Sequence, residues 1–310
     1  MRRKARRVLL GAHTSIAGGA SLAIGRAGKD GGECLQLFTR SARGWTSPAL
    51  PEAEARAFRR EARKHALPAI AHGSYLVNLA TEDAVLRSRS MAAVVDELQR
   101  CAALGISCLV LHPGSHPDTA LGLRLVARAL DAIHAETAGL RPRVCLEVTA
   151  GQGNCLGHRL EHLEEILLRT SAPERVGICL DTCHLFAAGY DVSTARGMTA
   201  VLDESLRRFG RRRIRCFHLN DSVGPRGCRK DRHAEIGKGL LGLGGFRALI
   251  NDARFAGTPA VLETPRPESY RTTLRRLRAM LRPAPSATVP RRRVSPPLAR
   301  LDRGLDVPVG

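Results

Sequence analysis

Lysine and acid are both scarce in this 310-residue chain. Of 49 basic residues only five are lysine (Lys4, Lys29, Lys64, Lys230 and Lys238), and 29 Asp and Glu leave a formal charge of +20. Biased codon usage explains arginine in place of lysine, but not the excess of base over acid. Such a balance points to a polyanionic partner, nucleic acid first. Other absences narrow the field. No apolar run approaches the ~18 residues of a membrane span. The basic start, "MRRKARRVLLGAHTS", reaches His13 after an apolar stretch too short for a secretory signal, so a cytoplasmic protein with no membrane partner is expected. The nine cysteines contain no CxxC pair, which argues against a zinc ribbon or a thioredoxin-type site. Cys108, Cys145, Cys179 and Cys216 lie in apolar runs and read as free, small hydrophobes. No GxGxxG follows the first strand-like run and no P-loop occurs, which removes the usual nucleotide-binding folds.

What is present is a chain long enough, and at 44% hydrophobic apolar enough, for one large core. Residues 1–7 form a basic arm. Residues 282–310, rich in Pro and Arg and without periodicity, read as a disordered tail. Between them, over residues 8–281, one grammar repeats. Short apolar runs, "VLLGAH" (Val8–His13), "CLQLFT" (Cys34–Thr39), "PAIAH" (Pro68–His72), "CLVLH" (Cys108–His112), "VCLE" (Val144–Glu147), "VGICLD" (Val176–Asp181), "IRCFHLND" (Ile214–Asp221) and "AVLE" (Ala260–Glu263), alternate with stretches whose apolar residues recur at three and four. Eight buried strands alternating with helices predict an α/β fold, a single-domain (β/α)8 TIM barrel.

Seven of the eight runs end on or near an ionisable residue: His13, His72, His112, Glu147, Asp181, His218 and Glu263. One histidine at a strand end is usually a satisfied core residue. Seven such groups on the C-terminal face of one barrel are too costly to bury without a purpose. Imidazole mixed with carboxylate, without clustered cysteine, suits zinc, manganese or iron. Asp231 and His233, two apart in "DRH", and His184, just past the sixth strand, add donors. An enzyme reading and a binding reading fit so far: a divalent-metal sugar isomerase or epimerase on a related barrel, and a basic nucleic-acid-binding protein with structural metals. The last conflicts with a carboxylate-rich donor set, since closed structural zinc sites prefer cysteine.

Eight segments in order carry a resemblance: "GAHTSIAGG" (Gly11–Gly19), "HGSYLVNL" (His72–Leu79), "HPGSH" (His112–His116), "EVTAGQG" (Glu147–Gly153), "DTCHLFAAGYD" (Asp181–Asp191), "HLND" (His218–Asp221), "DRHAEIGKG" (Asp231–Gly239) and "LET" (Leu262–Thr264). From about Val8 to Arg278 the chain resembles endonuclease IV, the zinc-dependent apurinic/apyrimidinic endonuclease family of DNA base-excision repair. The resemblance implies three zinc ions per chain, with manganese or iron able to occupy part of the site. It implies His72 and His112 on the first metal, Glu147 bridging to a second that Asp181, His218 and Glu263 also hold, and His184, Asp231 and His233 on the third. Glu147 and Glu263 are the implied catalytic residues. Arg43, Tyr75 and Leu76 are the implied DNA contacts, entering the duplex at the lesion. The implied reaction is hydrolysis 5′ to an abasic site in double-stranded DNA, giving a 3′-OH and a 5′-deoxyribose phosphate, with trimming of blocked 3′ ends as a further expectation. A monomer, in a bacterial cytoplasm and on the nucleoid when acting, completes the picture. Two positions depart from the family: Val148 stands where Asn is usual and Lys238 where Glu is common.

Overall fold

The computed structural model describes residues 7–282, so all but the first residue of the expected tail and all but the last of the arm lie outside the described residues. Arg7, the last residue of the expected arm, is held: its guanidinium pairs with Glu33 at 2.7 Å. Eight strands close a parallel barrel: β1 (Leu9–His13), β2 (Cys34–Phe38), β3 (Ala69–His72), β4 (Cys108–Leu111), β5 (Arg143–Glu147), β6 (Val176–Asp181), β7 (Ile214–His218) and β10 (Pro259–Leu262). Each pairs with its neighbours in sequence order, and β10 pairs with β1 to close the ring. Helices α1 (Ser21–Lys29), α2 (Glu52–His65), α3 (Ala84–Leu104), α4 (Thr119–Glu136), α5 (Leu160–Arg169), α6 (Thr182–Ala188), α7 (Ala195–Phe209) and α8 (Gly244–Ile250) occupy the crossovers, and α9 (Tyr270–Ala279) follows β10. The chain therefore folds as a single-domain TIM barrel. Among the described residues no helix is long and apolar enough to cross a membrane.

Helix boundaries follow local chemistry. The Asp83 carboxylate accepts the free Val85 and Leu86 N–H groups where α3 begins, and Gly105, at φ 74°, ends it in the left-handed conformation that glycine adopts without strain. The seventh run does not continue to Asp221 as the sequence suggested. β7 stops at His218, and Asp221 opens a small antiparallel hairpin of β8 (Asp221–Ser222) and β9 (His233–Ala234). The reason is polar. The Asp221 carboxylate collects the N–H groups of Gly237, Gly239 and Leu241, which folds the excursion back on itself.

The barrel interior is a second, small core: Cys34, Ile70, Cys108, Val110, Cys145, Cys179, Cys216 and Val261. Cys108 and Cys145 lie on adjacent strands with Cα atoms 6.2 Å apart, where the parallel β4–β5 pairing brings their inward sulfurs together. Cys34, Cys179 and Cys216 are likewise buried.

Candidate metal centre

Side chains two apart on a strand share a face. Two residues beyond each inward core residue therefore stands another inward residue, one layer nearer the C-terminal mouth. Cys34 is followed by Gln36, Ile70 by His72, Val110 by His112, Cys145 by Glu147, Cys179 by Asp181, Cys216 by His218 and Val261 by Glu263. On β1 the step is from Gly11 to His13. Gly11 is fixed by crowding, because a Cβ there would lie 2.0 Å from the Cys34 carbonyl oxygen. The mouth is thus ringed by one polar side chain per strand. Seven of the eight were legible as strand-end ionisable groups; Gln36 was missed, although a lone amide at inward parity in "CLQLF" was its signal.

Asp181 and His184 are adjacent through a helix cap. The Asp181 Oδ1 accepts the His184 N–H at 2.8 Å, so the last residue of β6 starts α6 and His184 arrives in its first turn. The β8–β9 excursion returns Asp231 and His233 from the other side. Asp231 is pinned by its own N–H, which donates to Gln152 Oε1 at 3.0 Å.

Among the described residues five groups of donor atoms lie within 4.8 Å of one another, and three of them are made of carboxylate and imidazole alone: His72, His112 and Glu147; Glu147, Asp181, His218 and Glu263; and His184, Asp231 and His233. Glu147 belongs to the first two. Its Oε2 lies 3.3 Å from both His72 Nε2 and His112 Nε2, and its Oε1 lies 2.9 Å from His218 Nδ1. Glu263 Oε2 is 3.1 Å from the same His218 nitrogen. In the third group Asp231 reaches His184 Nε2 and His233 Nε2 at 3.2 Å each.

Whether these donors suit metal can be tested on the imidazoles. His184 Nδ1 lies 2.9 Å from the Val148 carbonyl oxygen, His72 Nδ1 2.8 Å from the Gly73 carbonyl and His233 Nδ1 3.3 Å from the Glu263 carbonyl. His218 is turned the other way, with Nε2 2.8 Å from Gln36 Oε1. At His72, His218 and His233 the contact assigns the ring proton to the nitrogen facing away from the cluster and leaves the other lone pair facing in, while His184 Nδ1 stands between the Val148 carbonyl and Glu147 Oε1, 3.1 Å away, with Nε2 directed to Asp231. In the third group this sets His184 Nε2 and His233 Nε2 3.4 Å apart, two lone pairs beside a carboxylate. Such an arrangement is repulsive unless a cation or a proton lies between them. The residues fit a divalent-cation centre.

Titration behaviour follows the same logic. Burial alone would lower the His218 pKa, but Glu147 and Glu263 override it and raise it to about 10. His72, His184 and His233 are raised in the same way against desolvation, by Glu147 at His72, by Asp181 and Asp231 at His184, and by Asp231 and Asp181 at His233. Burial opposes ionisation of Glu147 as well, yet the His218 and His112 imidazoles pull it well below the ordinary carboxylate range. His13, by contrast, is driven down to about 4, by desolvation first and by the neighbouring cationic imidazoles His72 and His218.

Gln36 has a testable role here. It is buried, and besides His218 it contacts His13 Nδ1 at 3.1 Å and donates to Glu263 Oε1. Gln36→Leu removes the acceptor that orients His218 and is expected to weaken metal binding roughly 10–100-fold. Competition against a chelating dye measures this; unchanged affinity in a folded variant would remove the amide from the site.

The three implied DNA contacts also meet at the mouth. Tyr75 is 64% exposed, unusual for an aromatic, and its ring lies 5.8 Å from that of His72 and 5.5 Å from that of Phe38. Leu76 follows it, half-buried, and Arg43 is exposed on the neighbouring loop, whose Ala42 carbonyl accepts the Ser74 hydroxyl at 2.9 Å. Trp45 is partly buried against the main core. Of the two departures, Val148 buries its side chain and offers only its carbonyl to His184, so the backbone supplies a contact there. Lys238 is exposed.

A closed parallel barrel with a ring of carboxylates and imidazoles at its C-terminal mouth defines the xylose isomerase-like TIM-barrel class, and the family model of that description matches residues 24–280. Within that class the relatives are specific. A probable endonuclease 4 of Chloroflexus aurantiacus is 44% identical over 280 residues, spanning 88% of this chain and 98% of the relative. One from Nitratidesulfovibrio vulgaris is 42% identical over 276 residues, spanning 88% and 98%. The crystal structure of endonuclease IV from Thermus thermophilus superposes with a TM-score of 0.78 at 39% identity, covering 88% of this chain and 98% of that one. The chain belongs to the endonuclease IV family. A D-tagatose 3-epimerase-like protein, at 16% identity and a TM-score of 0.68, shares the fold alone.

Proposed function

We propose that the protein is a DNA-repair endonuclease that hydrolyses the phosphodiester 5′ to an abasic site in duplex DNA, leaving a 3′-OH and a 5′-deoxyribose phosphate, and that three zinc ions serve it. The observation that carries the reading is Glu147, one carboxylate shared between two donor groups, with a third group 3.1 Å away at His184 Nδ1. Membership of the endonuclease IV family supports the same reading.

A phosphodiester resists hydrolysis because its charge repels the nucleophile and its alkoxide leaves poorly. Metal ions held here would supply the positive charge that offsets both problems and lowers the pKa of a water. His72 and His112 with Glu147 would hold the first. Asp181, His218 and Glu263, together with Glu147, would hold the second, and His184, Asp231 and His233 would hold the third. The chain's own groups divide the remaining work. Asp181 and Glu147 are fully buried and would serve through the metals, Glu147 as the shared catalytic carboxylate. Glu263 borders a cavity of about 500 Å³ that His13, Phe38, Tyr75 and Tyr270 also line. Its carboxylate can therefore orient a water entering from that side and take its proton.

Selection of the lesion rests on different residues. An abasic nucleotide has no base to unstack, so extruding it costs less than flipping an intact one. Tyr75 and Leu76 form a wedge of the kind that separates base steps, and Arg43 beside them carries the charge for the groove. Tyr75→Ala is expected to lower affinity for abasic duplex by about tenfold or more, the scale of one aromatic stacking contact, while leaving metal content unchanged. Equal affinity for damaged and intact duplex in the native chain would remove the wedge from recognition. The +20 charge supplies sequence-independent attraction to the phosphates, so binding should weaken steeply with salt.

The deciding experiment uses an end-labelled duplex with one tetrahydrofuran abasic analogue. That analogue cannot undergo β-elimination, so any cut is hydrolytic. One incision 5′ to the lesion with an extendable 3′-OH is the expected result. No incision by a metal-loaded sample would overturn the reading.

A further inference from the structure

At the end of the barrel away from the metal centre lies a second concentration of cations. Strand β7 is bulged there: Ile178 pairs with Ile214, but Cys179 pairs with Cys216, which leaves Arg215 as the extra residue. The bulge turns the Arg215 side chain against Gly177. A Cβ at 177 would lie 2.5 Å from Arg215 Cγ and 2.7 Å from Cys145 Sγ, so glycine is what makes room for the arginine. Arg215 is half-buried and has no carboxylate partner among the described residues. Burial first, and the charge of Arg143 second, depress its basicity.

Arg143, the first residue of β5, has no carboxylate or side-chain hydrogen bond among the described residues either. It lines a cavity of about 490 Å³ between the end of α4 and the loop before β6, together with Arg141 and Arg175. Arg175 is braced on neutral oxygens: it donates to the His134 carbonyl at 2.7 Å and to Thr137 Oγ1 at 3.0 Å. Two acids also border the space. Asp131 is occupied with the Thr170 hydroxyl and the Ser171 N–H, and Glu174 is exposed. The remaining polar wall is His134, 5% exposed, with neither ring nitrogen partnered. A buried imidazole without partners is costly and calls for an explanation.

We propose that this cavity binds a phosphate-type oxyanion, either inorganic phosphate or the phosphate of a phosphomonoester, on Arg141, Arg143 and Arg175, with His134 in its wall and Arg215 adding charge from β7. Planar guanidinium forks match the oxygens of such an anion, and Arg143, half-buried and unpaired among the described residues, has the most to gain from one. The site lies at the opposite end of the barrel from the metal donors and is independent of them.

The test is calorimetric titration of the full-length, metal-loaded protein with inorganic phosphate in one arm and 2′-deoxyadenosine 5′-monophosphate in the other. Native protein is compared with Arg143→Gln and Arg175→Gln. Arg175 braces two segments and its replacement can disturb folding; Arg143 makes no such bond, and circular dichroism checks both. An anion also binds at a metal centre, so the diagnostic event is the one the variants remove. The expected result is a binding event weakened about tenfold or more in each folded variant, the effect of losing a charge-assisted contact. Tighter binding of the nucleotide would mean that the cavity seats its organic part, and equal binding that it takes the anion alone. Arg143→Gln titrations that superimpose on native for both probes, or no binding by native protein, would overturn the proposal.

Discussion

Glu147→Gln is expected to lower the rate of incision at an abasic analogue on the order of 10³-fold, while the barrel stays folded. A neutral amide keeps the shape of the side chain but offers one good donor oxygen instead of two. Glu147 now spans His72 and His112 on one oxygen and His218 on the other. Losing the bridge removes several kcal/mol of charge stabilisation from the transition state, and each 1.36 kcal/mol is a factor of ten. Single-turnover cleavage, with metal content measured on the same sample, checks this. A folded, metal-loaded variant that cuts at nearly the native rate would mean that no carboxylate is shared.

The second large effect is expected from a chelator. Stripping metal should abolish incision and lower the melting temperature by about 5 °C for each site that had been ~100-fold saturated, since such binding contributes about 2.7 kcal/mol and a domain of this size shifts roughly 2 °C per kcal/mol. The size of the drop depends on pH, with a sign the histidines fix. In the metal-free chain His218 is raised to about 10 by its carboxylates. A raised histidine contributes its full stabilisation below its unfolded value of ~6.5 and loses it as pH climbs through the folded value. The metal-free barrel should therefore weaken from about pH 6.5 towards 10. The metal-loaded barrel, whose imidazoles bind cations in place of protons, should not. The gap in melting temperature between the two forms widens with pH over that window. Scanning calorimetry at pH 6, 7.5 and 9 measures it, and a gap that stays constant or narrows would contradict the protonated-cluster account.

Much of this was legible in the sequence because a barrel strand encodes its inward face every second residue. "CLVLH" and "VCLE" announce both a buried strand and the polar group at its mouth, so His112 and Glu147 could be placed without coordinates. Gln36 obeyed the same rule and was passed over because an amide in an apolar run reads as noise when only ionisable groups are counted. The rest was hidden for other reasons. That β7 ends at His218 depends on the Asp221 carboxylate gathering N–H groups up to 20 residues ahead, at Leu241, which no periodicity reveals. The Arg215 bulge is a difference in register between two strands, and register belongs to a pair rather than to one segment. That Cys108 and Cys145 adjoin likewise required knowing which strands are neighbours. Grouping the donors by metal came from resemblance, not from spacing.

The closure of the barrel sets an order of events during synthesis. The second donor group, which begins with Glu147, must wait for Glu263, which follows β10, the last of the described strands and the one that pairs with β1. Until then the nascent chain holds a first group, His72, His112 and Glu147, beside a second that still lacks Glu263. An ion captured early would meet an incomplete cage and could fix the wrong partners together, a trap of the kind that slows chains whose contacts are distant in sequence. Metallation is therefore expected as a late, post-translational step, and cells starved of the metal should accumulate a closed apo-barrel rather than an unfolded chain.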